Sequence, residues 1–134
     1  MSHITTQAVA IKNAQAGILT GAVDLMCANL KDIVVKIDHI VDWNGKKIPI
    51  RQGCFGIKHK NSRYGQEISI DAKGQISIKG ENMDYETRKY LENQLIQFYN
   101  AQATMVSLSQ MGYAPQMQYN KGKVMIVGQQ YYKG

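Results

Sequence analysis

Cys54 and His59 come nearest, in this chain, to a nucleophile with its base. A thiol becomes a working nucleophile when an imidazole takes its proton and a third group orients the ring. Both residues lie around a turn, and no orienting Asp or Asn is evident, so no catalytic residue is expected. Asp38 and Asp42 stand just before Trp43 and a turn. They read as solvated turn acids rather than as an acid and base pair. Gly53-Cys54-Phe55-Gly56 is glycine-rich, but it lacks the helix and the Lys-Ser/Thr of a phosphate loop. His3, His39 and His59 do not fall at the spacings that zinc sites use. Met1-Ser2-His3 with a free amino group could complete a square-planar nitrogen set for copper or nickel. Removal of Met1 before the small Ser2 would shift the imidazole out of place, so no metal and no cofactor is expected.

The remaining chemistry is charge. No acid occurs between Gly45 and Gln66, whereas Lys46, Lys47, Arg51, Lys58, Lys60 and Arg63 fall in that window. These six cations equal the whole net charge of +6. Trp43, Phe55 and Tyr64 are interleaved with them. Cations for phosphates and rings for base stacking are what a single-stranded nucleic-acid surface needs. An acidic protein surface would meet the same residues, and so would water. The candidate binding residues are therefore Lys46, Lys47, Arg51, Lys58, Lys60 and Arg63, with Trp43 and Tyr64. No ribonucleoprotein-type aromatic motif accompanies them.

Local patterns predict the elements that carry these residues. Ile4 to Lys12 alternates and reads as a strand. Asn13 is placed to cap a helix from Ala14, with Ile18, Leu19, Ala22, Val23, Leu25, Met26 and Leu30 at helical spacing. Gly17 and Gly21 weaken that helix and suggest close packing against a neighbour. Ile33 to Val41 reads as one β-branched strand whose phase slips at Ile40. Asn44-Gly45 should close a hairpin onto Lys46 to Ile50, with Pro49 marking an edge strand or the strand's end. Gly53 to Ile57 reads as a short strand and Lys58 to Gly65 as a basic loop. Glu67 to Ile70 and Gln75 to Ile78 should pair with four isoleucines on one face.

A long amphipathic helix follows, capped by Asp84 and stopped by Gly112. Leu91, Leu95, Phe98, Met105 and Leu108 form its apolar stripe, broad enough to face more than one surface. Gln116 to Tyr119 and Val124 to Gln130 then form a hairpin over Asn120 to Lys123. Its sparse charge, with Tyr131 and Tyr132 beyond, predicts self-association or docking there. The economical fold is α+β: two helices packed on one face of a mainly antiparallel sheet, a ferredoxin-like core with extra hairpins.

At 134 residues the chain has the length of one domain, 1–134, and can bury a core without a metal or disulfide. Two cysteines in unlike contexts predict reduced thiols in a reducing compartment. No apolar run approaches the length of a membrane span, and the N-terminus lacks a basic segment leading into an apolar one. A cytoplasmic protein is the expectation.

Met1-Ser2-His3-Ile4-Thr5-Thr6, Tyr90-Leu91, Leu95, Tyr99-Asn100-Ala101, Gly112-Tyr113 and Lys123-Val124-Met125-Ile126-Val127 together resemble the hypothetical chloroplast reading frame 35 family, a family of unknown function. The likeness covers both ends of the chain, while Asp42 to Arg63 does not match, which would make this a divergent member. It implies a small α+β protein of cyanobacteria, plastids (their stroma), other bacteria or, through their viruses, a host cytoplasm. It implies no activity. Some members lie near genes for AAA-type ATPases, which implies an accessory role beside such a system. The reading reached is a non-enzymatic accessory or interaction protein acting within a larger assembly, with a nucleic-acid-binding module using segment 46–63 as the alternative.

Overall fold

The computed structural model describes residues 3–130, and side chains through residue 128. The elements are β1 (Ile4–Ala8), α1 (Ala16–Asn29), β2 (Val34–Ile37), β3 (His39–Val41), β4 (Lys47–Pro49), β5 (Phe55–His59), β6 (Gln66–Ile70), β7 (Ile76–Glu81), a 3-10 turn (Asn82–Asp84), α2 (Tyr85–Gln110), β8 (Tyr113–Asn120) and β9 (Lys123–Gln130). Five strands form one sheet in the order β1-β7-β6-β5-β2, and every neighbouring pair is antiparallel. β1 and β2 therefore run parallel at opposite edges, joined by α1. The β5-β6-β7 meander lies between them, and β8, which follows α2, pairs with β9 outside this sheet. The class is α+β.

Alternation sorts the sheet into two faces. Ile68 pairs with Ile78 and Ile70 with Ile76, so the expected isoleucine face forms. Ile57, Ile68, Ile76 and Ile78 are wholly buried there, beneath Leu19, Ala22, Val23 and Met26 of α1 and Leu91, Leu95 and Phe98 of α2. Burial of this one apolar cluster is the main drive to fold. Gly21 lies against Gln102, whose amide would stand 2.6 Å from an added Cβ, whereas Gly17 has open space around it. Close packing thus holds for the second glycine and not the first.

Several boundaries move from their expected places. Asn13 does not cap α1: it takes a left-handed turn (φ 55°), and the helix begins after Gln15, whose N–H donates to the Tyr99 hydroxyl at 2.8 Å. The segment Ile33 to Val41 is two strands in two sheets, broken at Asp38, because β3 leaves the main sheet to pair with β4. The phase slip at Ile40 is the trace of that break. Lys58 and His59 belong to β5 rather than to a loop. Asp84 stands at the start of α2, but its carboxylate accepts from Ser62 (2.8 Å) and Gln66 (3.3 Å) instead of capping the helix.

Two turns share one construction. Asp42 Oδ1 accepts the N–H groups of Asn44 and Lys46, and Asp71 Oδ1 accepts those of Lys73 and Gln75. In each, the glycine three residues after the aspartate is left-handed: Gly45 at φ 81° and Gly74 at φ 80°. A carboxylate that gathers two backbone donors rigidifies a turn, and glycine takes the left-handed position without a Cβ clash.

α2 spans 26 residues, about 39 Å at 1.5 Å per residue. Its first half is buried on the sheet; Met105 and Leu108, beyond the sheet, are half-buried under the β8-β9 hairpin. The Phe98 and Tyr119 rings stack at 5.6 Å and anchor that hairpin to the core. Gly112 (φ 87°) ends the helix as expected.

Candidate functional site

The β3-β4 hairpin lies on the sheet face away from the helices, and two buried glutamates hold it there. Glu67 is opposite in phase to Ile68, and Glu81 to Ile78, so both carboxylates leave the apolar face. Each is 1% exposed. At the base of the hairpin, Glu67 accepts the Arg51 N–H at 3.0 Å, and its other oxygen accepts Arg51 Nε at 2.9 Å and Nη2 at 2.8 Å. Burial alone would raise the Glu67 carboxyl, but the backbone N–H and guanidinium of Arg51, with Lys79 behind, hold it below the usual glutamate range. At the tip, Glu81 Oε2 accepts the Trp43 N–H at 3.0 Å, while Oε1 is buried without a partner. Ile40 is buried between these two ends.

The tip also meets the loop after β5. Val41 N–H donates to the Tyr64 carbonyl at 2.7 Å, and Ser62, bonded to Asp84, ties that loop to the start of α2. Trp43 (51% exposed) and Met83 (56%) therefore lie near one corner of the molecule, while Tyr85 (59%) lines a groove with Gln7 and Lys89. Arg63 lies over the Tyr64 ring at 4.9 Å and donates to its hydroxyl at 2.8 Å. Lys46 and Lys47 leave the same hairpin tip, both exposed.

The candidate cations are thus divided. Arg51 is taken up by Glu67 at the hairpin base. Arg63 is held against Tyr64, while Lys46 and Lys47 stand exposed just after Trp43 on the hairpin, with the Lys47 charge acting on Asp38. Lys58 is half-buried on β5, facing the hairpin side, opposite Val35. Lys60 follows at the sheet end, its N–H bonded to the Ile33 carbonyl. Among the described residues, Lys46, Lys47, Lys58, Lys60 and Arg63 make no ion pair.

Beneath the corner, on the helix side, runs a buried polar network. Arg88 donates to Gln66 (3.1 Å), the Thr5 hydroxyl (2.8 Å), the Thr5 carbonyl (3.1 Å) and the Gly80 carbonyl (2.6 Å). Burial pulls the guanidinium below its usual value, against Asp84, Glu92 and Glu81, which favour its charge. Its donors are spent on positioning the first turns of α2 over β1 and β7. The Arg88, Gln66 and Glu81 roles were missed in the sequence; a polar or charged residue inside an otherwise apolar strand or helix face is the signal that could have found them.

Cys54 and His59 occupy opposite ends of the β5 segment, about 16 Å apart by strand rise. The His59 ring packs edge-on to Tyr90 at 5.6 Å. A cavity of about 360 Å³ beside Cys54 is lined by Val23, Lys36, Ile50 and Arg51. Asp38 accepts from His39 at 2.7 Å, which draws its carboxyl down. Among the described residues no three His, Cys, Asp or Glu side chains group closely enough to hold a metal ion, and no helix is long and apolar enough to cross a membrane.

No protein-family model, no curated protein and no solved structure matches this chain. It is an α+β protein with a tethered hairpin tip that carries Trp43, Lys46 and Lys47.

Proposed function

We propose that this protein is a non-enzymatic accessory protein that docks an acidic partner protein, within a larger assembly, through the corner at the β3-β4 tip. The observation that carries this reading is Trp43: a large ring, half exposed, on a backbone tethered to a buried carboxylate. Holding the backbone of a residue in place before binding lowers the ordering cost of the encounter, and Trp, Tyr and Arg are the residue types enriched in binding hot spots. Lys46, Lys47 and Arg63 supply the charge that steers an acidic surface to it. The resemblance to the hypothetical chloroplast reading frame 35 family makes an AAA-type ATPase system the first partner to try.

Pull-down with mass spectrometry tests this, using the wild type against Trp43→Ala and Arg63→Glu. A partner held by the wild type and lost from both variants supports the reading; the same partners on all three would sink it.

Arg63 over the Tyr64 ring also favours the second reading, a module for single-stranded nucleic acid. Anisotropy of a labelled oligonucleotide, titrated at rising salt, separates the two. Phosphate contacts would show as affinity falling steeply with salt and lost on Arg63→Glu.

A further inference from the structure

The β8-β9 hairpin has one guarded edge and one bare edge. Lys121 (φ 51°) and Gly122 (φ 79°) form a two-residue turn with both residues left-handed, so Asn120 and Lys123 close it as a hydrogen-bonded pair. Pairs alternate from there: Gln118 with Met125 and Gln116 with Val127 bond inward. The intervening residues turn their N–H and C=O groups outward. On β8 these are Tyr119, Met117 and Pro115, and Pro115 has no N–H to offer. On β9 they are Val124, Ile126 and Gly128, each with a free donor and acceptor and no strand beside it among the described residues.

Other edges in the fold are protected. Arg88 occupies the Thr5 carbonyl of β1, and the Lys36–Asp24 ion pair (2.7 Å) stands at β2. Charge, proline and short length are the usual means of blunting an edge. β9 is eight residues long and carries charge only at Lys123. Its outer face shows Met125, 59% exposed, and Val127, 41% exposed.

We propose that two copies of this chain associate edge to edge through β9, antiparallel about a dyad at Ile126, to form a continuous ribbon β8-β9-β9-β8. The pattern is self-complementary about that residue. Ile126 faces Ile126 of the second copy, Val124 faces Gly128, and the outward groups of these residues form about six backbone hydrogen bonds. Met125 then lies across from Val127 of the second copy, twice, at the close spacing of a non-hydrogen-bonded pair. The exposed apolar side chains cover each other, while the two Lys123 side chains fall at opposite ends, about 20 Å apart. Pro115 caps the outer edges, so the assembly closes at two.

Sedimentation over micromolar to millimolar concentrations tests this. The wild type is expected to double its mass. Each copy carries +6, so the dimer should tighten as salt screens the repulsion, opposite to the salt response of the proposed corner. That contrast keeps the two proposals separable. Met125→Lys with Val127→Lys sets like charges opposite each other and should leave monomers with unchanged circular dichroism. Met125→Lys with Val127→Glu sets opposite charges together and should restore the dimer. Amide exchange should slow with concentration at Val124, Ile126 and Gly128, while Met125 and Val127 stay protected throughout. A wild type monomeric over the whole range, a Lys/Lys variant as dimeric as the wild type, or a Lys/Glu variant that stays monomeric would overturn the proposal.

Discussion

The buried carboxylate of Glu81 accepts the backbone N–H of Trp43 at 3.0 Å, joining the last residue of β7 to the tip of a hairpin 38 residues away in sequence. With the Val41 N–H bond to the Tyr64 carbonyl, it holds the tip that carries Trp43 against the sheet. Glu81→Ala should free the tip. Removing the acceptor leaves the Trp43 N–H without its partner, at a cost of about 1–3 kcal/mol. Because Trp43 is the single tryptophan, its fluorescence reads the change directly: quenching by acrylamide should rise. Unchanged quenching with unchanged stability would mean the bond does not hold the tip.

Arg51 and Glu67 make the corresponding clasp at the hairpin base. The Glu67 carboxyl is held below its usual range, so the contribution it makes is present above the unfolded glutamate value, about 4.3, and is lost as pH falls through the lower folded value. Arg51→Ala removes the guanidinium that offsets burial, so the folded carboxyl rises. Acid unfolding, followed by circular dichroism, should then begin at higher pH than in the wild type. An acid limb that does not move would refute the coupling.

Leu95 is wholly buried between α2 and the sheet. Leu95→Ala should cost about 2–5 kcal/mol, the range for a core leucine whose cavity only partly collapses. Thermal unfolding measures it, and an unchanged midpoint would remove Leu95 from the core.

The two helix glycines should respond in opposite ways. Gly17 has nothing within 4 Å of an added Cβ, so Gly17→Ala should stabilise by up to about 1 kcal/mol through helix propensity and a less mobile unfolded chain. Gly21→Ala must displace the Gln102 amide, 2.6 Å from the new Cβ, and should gain less or lose. Equal gains at both positions, by chemical denaturation, would show that α1 and α2 are not in close contact at Gly21.

The sequence by itself determined what depends on near neighbours. Alternating isoleucines in β6 and β7, the helical stripe from Leu91 to Phe98, Asn44-Gly45 and Gly112 are local signals, and each element formed because its period or its turn chemistry has few other solutions. It also determined the α+β class, since two amphipathic helices and a set of half-apolar strands must cover one another. What local pattern could not reach is where a segment goes after a break. Asp38 looks like one polar residue in a strand, yet it is where the chain leaves one sheet for another face. Asp84 reads as a helix cap, and Glu67, Glu81 and Arg88 carry no local sign of burial, because a charge costs nothing in water and its local neighbours do not bury it. Only the tertiary structure decided their burial, by laying the β3-β4 hairpin over one face and α2 over the other. The same step divided the six cations of the basic window, binding Arg51 to Glu67 and holding Arg63 against Tyr64 while leaving Lys46 and Lys47 exposed on the hairpin, because ion pairing across the fold follows spatial proximity and not position along the chain.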